Sequence, residues 1–465
     1  MSEIPTAKTA AAPTGFTEGP ISTHLIRLTG FMLLGFVSFM TASLIEAVYV
    51  GRVGTAELAA ISFTFPFVMS IQGISMGLGI GAGSVVARAM GSGDRERVKR
   101  VVTHSFILVV ILQLATSYIA WLYIEELFGL LGAELHILAL IVDYMDIWMI
   151  GSPFFAVAFI GSTLMRATGD AVTPGYLMAA GAGLQVVVQP LFIFGLGTVP
   201  EMGLGGAAVG FVVSRVIGLF MYMWFVAVRD RLLTSSLTGI LTSWRNILHV
   251  GLPAVASNMI TPVSMAIITR LLAWHGSEVV AGFGVASRIE SMVMMMIFAL
   301  SMSIAPFAGQ NWGAGHVERV TDALRLSNRF CMAWGIAAFV VLFLAGAPLV
   351  GLINDDPKVI EVARIYLVIV PMGMGFMGVM NTATQTFNAL GRPVPPLVIS
   401  VMQTLVAYVP LALLGDHLFG HRGIFGAQAL TTVLLGILAT WWVYRTIRSE
   451  STRLGLVSGV VHAAD

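Results

Sequence analysis

Four acidic side chains interrupt long apolar stretches of this chain: Glu46, Asp143, Asp146 and Glu290. A carboxylate is costly inside a membrane, and those that persist there mark ion or proton routes. Their chemistry is exchange: a proton or cation is held in one state and given up in another. At about 100° per residue, Glu46 shares a narrow arc of its helix with Ser38 and Tyr49, a polar seam facing a cavity. The plainer alternative places Glu46 high enough to reach the outer interface. Asp143 and Asp146 share one helix face with His136 close by, where two carboxylates compete for a proton. Asp143 reads as solvated at the membrane surface and Asp146 as the deeper candidate. Glu290 shares a face with Ser287, Met294 and Ser301; it either couples to an ion or pairs with another helix's arginine, such as Arg215. The coupling set expected here is therefore Glu46, Asp146 and Glu290.

Neutral polar residues lie inside the same stretches. Tyr49, Gln185, Gln189, Asn258, Asn381 and Gln385 either line a cavity or join helices by hydrogen bonds at about 1 kcal/mol each. Met294 belongs to a methionine-rich run with Met292, Met295, Met296 and Met302. Flexible thioethers adapt to varied apolar ligands, and ordinary packing is the alternative.

The elements that position these residues follow from composition. Apolar residues make up 57% of the 465-residue chain, charged residues only 11%, and the mean hydropathy is +0.89. Soluble domains carry about 25% charge. The apolar runs reach the roughly 20 residues that a helix needs to cross a bilayer, and they do not alternate as barrel strands do. Twelve spans are predicted, at 26–50, 58–84, 101–123, 137–160, 174–196, 204–228, 249–272, 279–305, 325–347, 360–383, 396–415 and 424–445. Lys and Arg set the orientation. With the N-terminus inside, eighteen basic residues fall on that side and five (Arg52, Arg270, Lys358, Arg364, Arg422) on the other. The expected product is a multi-pass protein of the bacterial inner membrane with both termini cytoplasmic.

An internal repeat orders the spans. At a constant offset of 222 residues, Gly54 matches Gly276, Gly91 matches Gly313, Glu96 matches Glu318, Tyr144 matches Tyr366 and Pro174 matches Pro396. Six spans separate the equivalents, so the halves share one orientation, and a substrate path between them suits alternating access. The fold class is thus all-α and polytopic: twelve transmembrane helices in two parallel-related six-helix bundles. The expected division is a disordered tail at 1–24, a first bundle at 25–228, a cytoplasmic linker at 229–246, a second bundle at 247–448 and a tail at 449–465.

Other chemistry is missing. There is no HExxH, no phosphate-cradling Gly-x-x-x-x-Gly-Lys-Ser/Thr loop and no histidine cluster. The one cysteine, Cys331, excludes an internal disulfide or cysteine metal site. No basic patch with interleaved aromatics points to nucleic acid. The expectation is a monomeric secondary transporter in contact with membrane lipid, with no cofactor beyond H+ or Na+ as coupling ion, and not an enzyme.

At four places the chain resembles the multidrug and toxic compound extrusion (MATE) family. These are Tyr49-Val-Gly-Arg-Val-Gly-Thr-Ala-Glu-Leu-Ala-Ala60, Gly79-Ile-Gly-Ala-Gly83, Leu164-Met-Arg-Ala-Thr-Gly-Asp170, and Pro306-Phe-Ala-Gly-Gln-Asn-Trp-Gly-Ala-Gly315. The resemblance runs from about Leu25 to Arg448 and implies cation-coupled antiport, with protons as the expected ion, of lipophilic, often cationic compounds. Proton-linked members usually carry an acid in the first span; Glu46 fills that place in Ile45-Glu-Ala-Val-Tyr-Val-Gly51. They often have N-x-x-x-D-P in the fifth span, where this chain has Gln185 and Gln189-Pro190, so the second acid is lost. NorM-like members often have acids in spans seven and ten, where Thr261 and Asn381 stand here. Two other transporter classes compete. The loop Gly91–Arg100 loosely matches a major facilitator motif, and lipid-linked precursor flippases share the wider superfamily.

Overall fold

The computed structural model describes residues 15–453, except positions 131, 133 and 198 and the side chain of Thr261. Among the described residues, twelve helices are long and apolar enough to span a membrane. Helices are what such sequence must form, because hydrocarbon offers backbone N–H and C=O groups no other partner. They are α1 Ile21–Val53, α2 Thr55–Gly91, α3 Arg95–Leu122, α4 Leu135–Ala167, α5 Thr173–Ile193, α6 Gly203–Arg229, α7 Ile240–Ala273, α8 Ser277–Gly313, α9 Val317–Gly351, α10 Pro357–Ala389, α11 Val394–Phe419 and α12 His421–Arg453. A short helix, Ile124–Leu130, follows α3.

The 222-residue repeat is visible in the backbone. Helices α2 and α8 both have 37 residues and α4 and α10 both have 33, starting and ending at equivalent positions. The turns match too: Gly93 and Gly315 have φ of 78° and 79°, a left-handed conformation that only glycine adopts cheaply.

The two halves meet near the face that carries both ends of the described chain. There α7 packs along α2 of the other half. Gly73, Gly77 and Gly81, spaced four apart, let the two backbones approach; a Cβ at Gly81 would lie 2.8 Å from Gly251 N. Arg88 donates to the Ala389 carbonyl at 2.7 Å, and Ser84 donates to that of Asn388. Toward the opposite face, no hydrogen bond among the described residues joins the halves beyond Asn258 Nδ2 to Gly73 O at 3.3 Å. The polar and backbone contacts between the halves are concentrated on the terminal face.

The expected tail at 1–24 needs correction. Residues 1–14 lie outside the described part, but Phe16 is buried and α1 begins at Ile21. Phe16 N donates to Gln310 Oε1 at 2.7 Å, its carbonyl accepts from Asn311 and Arg319 at 3.1 Å, and its ring stacks on Phe307. Gln310 in turn donates to the Ala167 carbonyl at 2.8 Å. Burial of one aromatic ring and a full set of backbone partners order this segment, which bolts the halves together. Helix α12 runs on to Arg453, and 454–465 lie outside the described residues. The linker is shorter than expected, because α6 continues to Arg229 and α7 starts at Ile240.

Candidate functional site

In the first half, α1, α5 and α6 converge on one carboxylate. Gln185 and Gln189 are one turn apart on α5 and aim both amides at α1. Gln185 Nε2 donates to Glu46 Oε2 at 3.1 Å, and Gln189 Nε2 donates to Glu46 Oε1 at 2.9 Å. Both carboxylate oxygens accept, which is the pattern of the ionised group. Arg215 of α6 reaches the other end of the same amide, donating through Nη2 to Gln185 Oε1. Its guanidinium lies 4.9 Å from the Phe211 ring centre and 5.6 Å from that of Phe155. Tyr49 fastens α1 to α5 by donating to the Val186 carbonyl at 3.3 Å. Two buried atoms of the cluster have no partner, Gln189 Oε1 and Arg215 Nε.

The second half holds its own carboxylate. Glu290 of α8 accepts from the Tyr366 hydroxyl of α10. Gln428 of α12 donates to the same hydroxyl at 3.4 Å and accepts from Tyr408 at 3.3 Å. Tyr366 is the repeat equivalent of Tyr144, which lies buried in the first half beside Val50, Met145 and Trp148. Among the described residues Glu290 makes no ion pair, and Arg215, the example of an arginine partner, lies in the first-half cluster.

A cavity lies at the floor of the cleft between the halves, lined among others by Gly83, Ser84, Thr163, Arg166, Gln385 and Asn388. Arg166 is buried and donates to Ser162 and, at 3.0 Å, to Thr163 Oγ1 of its own helix. Among the described residues neither Arg88, Arg166 nor Arg215 pairs with an acid.

The expected residues thus separate. Glu46, Tyr49, Gln185 and Gln189 come together. Gln385 lines the cleft floor, and Asn258 binds α7 to α2. Asn381 Nδ2 is buried without a partner. Met294 is no cavity residue: it packs in the second-half core with Phe283, Ile297 and Val379. Asp146 makes no hydrogen bond or ion pair to Glu46; the α4 residue turned into that core is Tyr144, two positions earlier and so on another face. Asp143 is exposed and lines a surface hollow with Glu57 and Glu201. The side chain of Thr261 lies outside the described residues. Sequence reasoning missed Arg215 as part of the site, although an arginine in the middle of an apolar span was the available signal. No grouping of three or more His, Cys, Asp or Glu suited to a metal occurs among the described residues.

Comparison with known proteins agrees with this geometry. The MatE family model matches residues 32–191 and 253–414. The chain is 32% identical to a protein named FAD transporter from Shewanella oneidensis, over 93% of this chain and 96% of that one. It is 23% identical to the multidrug export protein MepA of Staphylococcus aureus, over 92% and 95%. Among solved structures, the Vibrio cholerae MATE transporter VcmN in its bent form superposes with a TM-score of 0.89 at 28% identity, covering 93% of this chain and 98% of that one.

Proposed function

The chain belongs to the MatE family, and from that premise we propose that it exports small organic compounds in exchange for protons, with Glu46 as the group that carries the proton. The observation behind this reading is the placement of Glu46: an acid within an apolar helix, with both carboxylate oxygens held by side-chain amides of α5. Only differential binding to the two states of a transporter can drive a cycle. A carboxylate that binds either a proton or a cationic group supplies that difference in one place. Glu290 and Asp146 are secondary coupling candidates. The cargo proposed is lipophilic and cationic, in line with relatives named for multidrug export. The terminal face, rich in Lys and Arg, is proposed as cytoplasmic in the inner membrane of a bacterium, so the face on which the halves are fastened is the inner one. The protein is proposed to act as a monomer.

A second reading concerns the cargo alone. The relative named FAD transporter, together with three arginines that have no acidic partner among the described residues (Arg88, Arg166 and Arg215), favours an anionic dinucleotide.

Purified protein in liposomes with an imposed pH gradient tests both. Proton movement coupled to ethidium, lost in Glu46→Gln and partly kept in Glu46→Asp, is the expected result. Coupled movement of FAD with none of ethidium would replace the first cargo by the second. Transport that follows a sodium gradient and ignores pH would defeat proton antiport.

A further inference from the structure

The first-half cluster contains a charge that proton exchange at one carboxylate does not call for. Arg215 is partly buried between α4 and α6 aromatic rings, and its hydrogen-bond partner is a neutral amide oxygen. That amide, Gln185, has its nitrogen on Glu46. Acid and base are therefore held one amide apart: close enough for each to feel the other's charge, yet without a direct ion pair. A direct pair would neutralise the carboxylate and lock it in the ionised form. A spacer leaves it free to titrate.

We propose that Arg215, acting through Gln185, is the internal counter-charge of Glu46: a positioning residue that sets the pH range over which Glu46 trades its proton and makes proton and cationic cargo exclude each other. The inference rests on the proposal that Glu46 carries the proton. The charge states follow directly. With Glu46 ionised the pair is neutral; with Glu46 protonated it is singly positive. Adding a cation to the protonated site would bring two positive charges together in a low-dielectric interior, where they repel strongly. Without Arg215, the protonated site would be neutral and could hold a cation as well. The exclusion that antiport needs is thus stronger with the arginine than with the acid alone.

The other groups around Glu46 leave this role to Arg215. Tyr144 of α4 also lies within range of its charge, and Tyr49 of α1 itself is turned to the Val186 carbonyl. Helix α5 presents only the amides of Gln185 and Gln189. Helices α2, α8 and α9 also touch α1, but no charged side chain of theirs is hydrogen-bonded or ion-paired to Glu46 among the described residues. Tyr222 is the titratable neighbour on the Arg215 side.

The test compares Arg215→Gln, Arg215→Lys and Glu46→Gln in liposomes, with transport of ethidium followed against pH. A nearby opposite charge typically moves a carboxylate's titration by about 1–3 pH units. Arg215→Gln should therefore raise the pH at which proton-driven transport falls to half by about one unit, and Arg215→Lys should return it close to the parent value. In parallel, infrared difference spectra locate the protonated-carboxyl band that Glu46→Gln removes. That band should persist to higher pH in Arg215→Gln, a readout available even if transport is lost. An unchanged half-transport pH and an unshifted band in Arg215→Gln would overturn the counter-charge role, leaving the arginine structural. Normal proton-driven transport by Glu46→Gln would instead overturn the reading beneath it.

Discussion

Gly91 and Gly313 occupy equivalent positions in the two halves, and each rests on a backbone carbonyl of the other's helix. Gly91 of α2 packs on Gln310, and Gly313 of α8 packs on Arg88. Residues 88 and 310 are themselves repeat equivalents. The closed face is therefore a two-fold contact made twice by the same sequence. A Cβ at either glycine would run into a carbonyl oxygen that cannot move without its helix.

That contact predicts the effect of volume there. Gly91→Val should depopulate the closed face while both halves remain folded. A cysteine at Ala389, on a Cys331→Ala background, should then react faster with an impermeant thiol reagent from the terminal face. Unchanged reactivity would mean that the glycine contact is not needed for closure.

Phe16 predicts a second, separable effect. A buried Phe→Ala change costs about 3–5 kcal/mol when the cavity cannot collapse. This segment can detach, so the loss should fall on the closed state and not on the fold. Phe16→Ala should increase amide exchange around Gln310 and Asn311 and leave the amides of the Glu46 cluster unchanged. Faster exchange throughout the protein would contradict a local bolt.

The two carboxylates should differ in reconstituted transport. Glu46→Gln keeps the side-chain volume and removes the titration, so gradient-driven efflux should vanish with expression intact. Glu290→Gln should lower efflux without abolishing it, as a secondary coupling group would, since its partner Tyr366 can still donate to an amide oxygen. The reverse pattern would move coupling to the second half.

Tyr366→Phe probes stability in place of transport. It removes the hydroxyl that Glu290 and Gln428 share, leaving a partly buried carboxylate without its donor at a cost of about 1 kcal/mol. The melting temperature in detergent should fall, and Glu290→Gln added to Tyr366→Phe should recover part of the loss.

Orientation is testable with single cysteines on the Cys331→Ala background. Ser92→Cys lies in the loop after α2 and Ser277→Cys at the start of α8. The basic-residue bias predicts labelling of the first from the cytoplasmic side and of the second from outside. Labelling of both from one side would refute the topology.

Much of this molecule was legible in its sequence, because the properties concerned are local. An apolar run of sufficient length must be a helix in hydrocarbon whatever its neighbours are. The 222-residue offset needs no folding to be seen, and it returned as matched helix ends and matched φ angles at Gly93 and Gly315. Glu46 stood out because an acid in such a run is costly, and Gln185 and Gln189 stood out because four residues separate them on one helix face. Tertiary structure alone decided which helix each face meets. It placed Arg215 against Gln185, Tyr366 against Glu290 and Met294 in a core, and it left Asp146 without a hydrogen bond to Glu46. Hydropathy cannot anticipate those choices: lipid tails and packed side chains are equally apolar, so the rotation and tilt of each span are set by the close approach of its neighbours. The closure of the terminal face was hidden for a related reason. Closure at Gly91 and Gly313 depends on two carbonyls more than 200 residues apart in sequence, and they become neighbours only when the two halves pack.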